Sequence, residues 1–361
     1  MLVRSLDCRG FRNLADAETV LGPGLTVLHG PNGAGKTNLL DALYFGLTSH
    51  SFRTGSDRDL IRFEERSARV ELELEEAGSR RPRLLAGLDR AGERRHLIDG
   101  RPLERSEQRP LVSVFHPDRL QLLKGPPAHR RAHLDRFVGA LRPSRGDLRT
   151  RYGRTLAQRN AQVARVRGGE APLESLAVWE ERLAAEAEPL IEARREAAKT
   201  IAGPFAGRAE ALGLPDATIA YRPRTDADAT GIAAELAARR SELGRSYVTF
   251  GPQLDELELR AGERPLRRFG SQGQQRVALL ALLFAERDAL LAEGRPAPMM
   301  LLDDVMSELD PERRTLLIGT LEDAGQTLVT ATESAHVPRV EGAVRLAVSG
   351  GSTRPELAAA A

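Results

Sequence analysis

The chain has 361 residues, of which 41% are hydrophobic, enough for one large or two medium domains around a sizeable core. Its 53 Lys plus Arg against 51 Asp plus Glu leave a formal charge of +2, which suggests no general polyanion binder. The single cysteine, Cys8, excludes a disulfide framework and a cysteine-rich metal site, and fits a reducing compartment.

Asp7, Arg9 and Arg12 break any signal-peptide pattern at the start. Val277 to Ala285, the longest apolar run, is too short to cross a bilayer, so the expectation is a cytoplasmic protein with no membrane partner. Leu25 to Leu28 reads as a strand and Asn38 to Phe45 as a helix. Between them stands Gly30-Pro31-Asn32-Gly33-Ala34-Gly35-Lys36-Thr37. A Gly, four residues and then Gly-Lys-Thr is the phosphate-loop pattern, and the strand-loop-helix setting is the one it needs. Its backbone N–H groups can wrap a β-phosphate at a helix N-terminus. Lys36 would reach the β- and γ-phosphates, and the Thr37 hydroxyl would ligate Mg²⁺. Lys36 is one of only three lysines in a chain that otherwise uses arginine. A compact ammonium fits between phosphates where a planar guanidinium does not.

Further along, Val70 to Glu75 alternates apolar and acidic residues as a half-buried strand does. Leu97 to Leu103 carries the hairpin signal Asp99-Gly100, and Leu111 to Phe115 is a short apolar strand. The composition then shifts. Residues 126–168 hold 11 Arg and two acidic residues, a surplus of +9. Leu176, Leu183, Leu190 and Ile191 recur at helical spacing, predicting a long amphipathic helix over 173–202. Thr218 to Tyr221 reads as a strand and Ile232 to Leu243 as a helix. From about 246 the pattern returns to strands and a buried helix. The expected division is 1–125 and 246–361 as two parts of one nucleotide-binding head, with 126–245 inserted as a helical arm.

Met299, Met300, Leu301 and Leu302 run into Asp303-Asp304. An apolar strand ending in two carboxylates complements a phosphate loop. Asp303 would hold Mg²⁺ through water, and Asp304 could act as general base on the attacking water. Phe269-Gly270-Ser271-Gln272-Gly273-Gln274-Gln275-Arg276 opens the apolar helix and makes a second anion cradle. One γ-phosphate needs one cradle, so the second suits a different molecule; a capped core helix is the plainer alternative. Ser307-Glu308-Leu309-Asp310 and then Pro311 follow the carboxylates, and Thr330-Ala331-Thr332-Glu333 follows the strand Leu328 to Thr330.

Together these pieces resemble the RecF family, bacterial DNA-repair ATPases of the SMC-like branch of the ATP-binding-cassette (ABC) proteins. The resemblance runs over nearly the whole length. It rests on Gly10-Phe11-Arg12-Asn13-Leu14, Gly35-Lys36-Thr37-Asn38-Leu39-Leu40-Asp41-Ala42, Phe115-His116-Pro117-Asp118-Arg119-Leu120, Ser271-Gln272-Gly273-Gln274-Gln275-Arg276 and Leu302-Asp303-Asp304-Val305. The fold it implies is α/β: an ABC-type P-loop ATPase head with mixed β-sheets and an inserted helical arm. It implies ATP and Mg²⁺ as cofactors, with Lys36, Asp303 and Asp304 catalytic and Thr37 and Asp303 on the metal. Nucleotide contacts are implied for Arg12, Asn13, Gly30, Asn32, Gly33, Ala34, Gly35, Lys36, Thr37 and Asn38. From a second copy, Ser271, Gln272, Gly273 and Asp310 would close the site. Cassette ATPases place a γ-phosphate-sensing His where this chain has Thr332 and Glu333, so the resemblance implies Thr332 or Glu333 as its substitute on the nucleotide. The chain also departs at Phe52, where the family often has His, and at Gln253-Leu254, where it tends to have His-Arg.

The resemblance further implies ATP-driven homodimerisation, slow hydrolysis, binding to duplex DNA and to single-strand/double-strand junctions, and cooperation with RecR and RecO in loading a recombinase. The protein would be nucleoid-associated when on DNA. Arg130, Arg131, Arg136, Arg142, Arg145, Arg149, Arg151, Arg154 and Arg159 are candidates for DNA phosphate contacts. Their alternative role is to pair with the acidic helix at Glu180 to Glu196. An ABC-type energy module of a non-DNA system, such as a transporter, is the competing reading. The missing switch His and the Asp304-Val305 continuation speak against it.

Overall fold

A computed structural model describes residues 1–53, 55–76, 80–104, 111–242, 250–307, 309, 311–322 and 325–356. The chain forms two compact units: Met1–Arg119 with Pro296–Ala361, and Leu120–Arg295.

The first unit begins with β1 (Leu2–Arg9), β2 (Glu18–Val20), β3 (Leu25–His29), α1 (Lys36–Thr48), β4 (Ser67–Glu75), β5 (Arg83–Asp89), β6 (Arg94–Ile98), β7 (Arg101–Pro102) and β8 (Val112–Phe115). Six of these strands make an antiparallel sheet in the order β2-β1-β4-β5-β6-β7. On β4, Ala68, Val70, Leu72 and Leu74 are buried and their neighbours face outward, as period-two patterning requires. The buried face joins Leu39, Leu43 and Leu47 of α1 in one apolar core. Asp99-Gly100 forms the expected two-residue turn between β6 and β7, with both residues at positive φ (49° and 82°).

The second unit contains α2 (Gln121–Lys124), α3 (Pro127–Leu141), α4 (Leu148–Arg167), α5 (Ala177–Ala211), β9 (Ala217–Arg222), α6 (Ala229–Ala238), β10 (Glu256–Ala261), β11 (Arg264–Pro265), α7 (Leu266–Phe269) and α8 (Gln272–Ala292). The amphipathic helix expected over 173–202 starts later, at Ala177, and runs on through Pro189 and Pro204 to Ala211. Its apolar stripe continues past the second proline through Phe205 and Ala209, and this burial outweighs the lost hydrogen bond. The helix expected over 232–243 is α6, displaced toward the N-terminus; Leu243 lies outside the described residues. The expected return to the head near 246 is corrected. β10 pairs with β9 and α8 packs on α5, so residues up to Arg295 belong to this unit, and the return falls at Pro296.

The chain then completes the first unit with β12 (Met299–Leu302), α9 (Pro311–Glu322), β13 (Thr327–Ala331), β14 (Val344–Ser349) and β15 (Ser352–Pro355). A second sheet runs β15-β14-β3-β13-β12-β8; the five strands after β15 are mutually parallel. All four residues of β12 are buried, the continuous apolar run expected of a parallel strand covered on both faces. Because β3, β13 and β12 are adjacent and parallel, their C-terminal ends deliver Gly30, Thr330 and Asp303 to one edge. That edge is where open α/β sheets bind ligands.

Candidate nucleotide site

The phosphate loop leaves β3 at Gly30, whose N–H donates to Ala331 O at 3.3 Å. Gly30 sits at φ 154°, and a Cβ there would lie 2.2 Å from Val348 O on β14, so only glycine lets the loop turn this close to the sheet. α1 then begins at Lys36 with Gly35 at its N-cap, aiming its first N–H groups into a cleft of about 310 Å³. Lys36, Thr37, Asn38, Asn13, Asn32, Gly33, Gly35, Arg53, Pro117, Asp303, Asp304 and Thr330 line it.

Lys36 Nζ donates to Gly30 O at 2.7 Å and Pro31 O at 3.0 Å. Burial lowers its pKa, and Asp304 and then Asp303 oppose that shift. Thr37 Oγ1 donates to the Asp303 carboxylate at 2.9 Å, and Thr330 Oγ1 donates to Asp303 Oδ1 at 2.8 Å. Burial raises the Asp303 pKa; the Thr330 and Thr37 hydroxyls and nearby His116 pull it back. Asp304 adopts φ 49°, and its N–H donates to Thr330 Oγ1 at 2.8 Å. One threonine thus holds the Asp303 carboxylate and the Asp304 backbone.

Asn13 and Asn38 brace the loop. Asn13 Nδ2 donates to Gly33 O at 3.1 Å, Asn38 Nδ2 donates to Asn13 Oδ1 at 2.6 Å, and Arg53 donates to Asn38 Oδ1 at 2.5 Å. Arg12 pairs instead with the buried Asp41 on α1. Thr332 is not among the residues lining the cleft; its hydroxyl lies 3.1 Å from His336 Nδ1. Asp310 lies outside the described residues.

Three contributors carry no local sequence signal as site residues. Thr330 reads only as the end of a strand. His116 reaches within 3.5 Å of Asp303 because β8 pairs with β12, a long-range pairing no local pattern announces. Its ring packs 5.5 Å from Phe52, so a histidine adjoins the position where the family's own His is missing. Arg53 closes the chain of side chains around the loop.

In the second unit, Ser271 caps α8. Its Oγ accepts from Gln274 N–H at 3.2 Å while its own N–H donates to Gln274 Oε1 at 2.9 Å, a full capping box. Ser271 and Gln272 are exposed and Gly273 half-exposed.

The arm arginines mostly serve the arm. Arg130 is 3% exposed; it grips Glu256 and donates to the carbonyls of Leu122, Leu123 and Gly125, leaving it no face for DNA. Arg131 donates to Asp255 O, Arg142 and Arg145 pair with Glu196, Arg151 with Glu186, and the buried Arg159 with Glu180. Arg149 approaches Asp135 at 3.7 Å. Arg142, Arg145, Arg151 and Arg159 thus take the alternative role of pairing with the acidic helix. Arg136, Arg149, Arg151 and Arg154 remain exposed.

A phosphate loop and an apolar strand ending in two carboxylates in the first unit, with a capped Ser-Gln-Gly-Gln helix in the second, define a P-loop ATPase of the ABC and SMC class. The chain matches the RecF/RecN/SMC N-terminal domain family over residues 2–353. It is 34% identical over 349 residues to the DNA replication and repair protein RecF of Heliobacterium modesticaldum, covering 92% of each chain. It is 35% identical over 390 residues to the protein of the same name from Streptomyces avermitilis, covering 98% of this chain and 99% of that one. A solved structure of the recombination mediator RecF with ATP shares the fold at a TM-score of 0.85 and 23% identity, over 98% of this chain and 97% of that one. The chain belongs to the RecF family.

Among the described residues, no helix is long and apolar enough to cross a membrane.

Proposed function

We propose that this chain is an ATP-switched DNA-binding protein of recombinational repair. The observation that carries the reading is the convergence of Lys36, Thr37 and Asp303 at the carboxyl ends of adjacent parallel strands. Its relatives bear the name of DNA replication and repair proteins, and a structural neighbour is described as a mediator of the RecFOR pathway.

ATP would exchange the two carbonyl partners of Lys36 for β- and γ-phosphate oxygens. The Thr37 hydroxyl and the Asp303 carboxylate would hold Mg²⁺, which would supply positive charge against the phosphates. Asp304, held by Thr330, would orient and deprotonate the attacking water. Ser271, Gln272 and Gly273 would cap the triphosphate of a second copy, so ATP joins two heads and hydrolysis parts them. Differential affinity of ATP for the closed pair is what such a switch requires. Hydrolysis is then slow and acts as a timer. Duplex DNA at gaps or single-strand/double-strand junctions, with RecR and RecO as partners, is the setting in which recombinase loading, fork maintenance and the SOS response follow. The protein would work in the cytoplasm, on the nucleoid.

Sedimentation with ATP or ADP, with and without gapped duplex, tests the reading. An ATP-specific dimer with raised DNA affinity supports it; a single copy at saturating ATP overturns it.

A further inference from the structure

The turn that joins β14 to β15 stands behind the phosphate loop. Ser349 pairs with Ser352, so Gly350-Gly351 is a two-residue turn, and both residues lie at positive φ, 56° and 79°. Gly351 is buried, and both of its backbone groups reach other segments. Its N–H donates to Ala34 O within the phosphate loop at 2.9 Å, and its carbonyl accepts from Ala15 N–H at 3.0 Å. The same hairpin meets the first residue of the loop, where Val348 O backs onto Gly30.

The bond to Ala34 also orients the next N–H. In a planar trans peptide the C=O and the following N–H point in opposite directions. Holding Ala34 O toward Gly351 therefore turns the Gly35 N–H away from the hairpin, and Gly35 lines the nucleotide cleft as the N-cap of α1. The phosphate-loop residues do not supply this donor themselves; the last hairpin of the described chain does.

The fit admits no side chain. A Cβ at Gly351 would lie 2.1 Å from Asn13 O, 2.8 Å from Ala15 N and 2.9 Å from Leu14 Cα, all backbone atoms that cannot swing aside. At Gly350 a Cβ would meet nothing within 4 Å. The two glycines share a left-handed backbone and differ in what lies beside them.

We infer that Gly351 is a positioning residue for nucleotide: through Ala34 O it holds the Ala34–Gly35 peptide in the orientation that presents the Gly35 N–H to the phosphates. The inference rests on the reading above, in which this loop holds ATP. A contact made alike in the ground state and the transition state acts on KM rather than on kcat.

The test compares Gly351→Ala with Gly350→Ala. Each places a methyl group at a left-handed position of one turn, so the cost to the turn itself is common to both. Binding of a fluorescent ADP analogue and ATP turnover are measured well below both unfolding midpoints, where lost stability alone moves neither. Gly350→Ala should match the unaltered chain within about twofold in Kd and KM, whereas Gly351→Ala should raise both about tenfold and leave kcat within about twofold. Hydrogen exchange decides the matter if Gly351→Ala does not fold: in the unaltered chain ADP should slow exchange of the Gly351 N–H, although Gly351 is not among the residues lining the cleft. A folded Gly351→Ala with the Kd and KM of Gly350→Ala overturns the positioning role and leaves the ATP site standing, and so does an exchange rate that ADP leaves unchanged. If the unaltered chain binds neither ATP nor ADP, both fall.

Discussion

The guanidinium of Arg12 donates to Asp41 Oδ2 at 2.7 Å, and the Asp41 carboxylate is completely buried beneath the nucleotide cleft. Asp41 also accepts from the Ser51 hydroxyl at 2.9 Å and the Phe52 N–H at 3.1 Å. One carboxylate on α1 therefore ties together the segment that carries Arg12 and Asn13, the helix that carries Lys36 and Thr37, and the segment that carries Arg53. All three border the phosphate loop. Arg12 faces this carboxylate rather than the cleft, so its link to nucleotide runs through the position of α1.

Removing one partner of such a pair strands the other charge away from water. Asp41→Ala should destabilise the fold by about 3–5 kcal/mol, read from urea unfolding. Asp41→Asn keeps the shape and an acceptor for Ser51 and Phe52, and should cost less. Equal midpoints for the alanine variant and the unaltered chain would show that the pair contributes nothing.

Lys36→Arg tests the phosphate grip. The guanidinium keeps the charge but cannot sit as a compact donor between two phosphates. The expected result is a fall in kcat on the order of 100-fold, with the ATP Kd changed less than about tenfold. Loss of binding with unchanged turnover of the bound fraction would assign Lys36 to affinity rather than to the transferring phosphate.

Cys8 lies in β1 and is 2% exposed; burial pushes its thiol pKa far up. The thiolate is the reactive form, so the folded chain should ignore a thiol reagent at mildly alkaline pH and react fully in denaturant. Prompt labelling of the folded protein would contradict the packing of β1 against β4.

The Glu196 carboxylate is held below its ordinary range, first by the hydrogen bond from Arg145 and then by Arg142. A depressed folded pKa contributes stability that is present above the unfolded value near 4.5 and is lost as pH falls through the folded value. Glu196 is half-exposed, so the effect is small. Glu196→Gln should lower stability slightly at neutral pH and leave it unchanged at low pH, which flattens the acid limb of a stability–pH curve. An unaltered acid limb in the variant would remove Glu196 from the cause.

The nucleotide half of this molecule was readable because phosphate chemistry dictates residue type at fixed spacing. The Gly30–Thr37 loop, the strand ending at Asp303 and the Asp99-Gly100 turn each need particular residues, and the structure contains each. What long-range pairing decides was not readable. His116 meets Asp303 only because β8 joins β12, and Asp41 meets Arg12 across 29 positions of chain. The signature segment joins the helical unit because β10 pairs with β9, which no periodicity around 246 announces. The arginine surplus in 126–168 was visible, but its partners were not. Charge counted along a chain does not say which guanidiniums face solvent.

That distinction sets the last prediction. Affinity for duplex DNA should fall steeply with salt, because each neutralised phosphate releases a counterion. Buried Arg130 and Arg159 already hold carboxylates and carbonyls, so their loss should unfold the arm rather than weaken DNA alone. Arg149, which approaches Asp135 at 3.7 Å, and Arg154 are both exposed on α4. Arg149→Glu and Arg154→Glu should each leave the unfolding midpoint nearly unchanged and lower the salt slope of DNA binding by about one. Measured binding isotherms at several salt concentrations separate the cases. A slope unmoved by both variants would place the phosphate contacts on another face of the protein, while an unfolded arm would mean that these two arginines, like Arg130, hold the helices together.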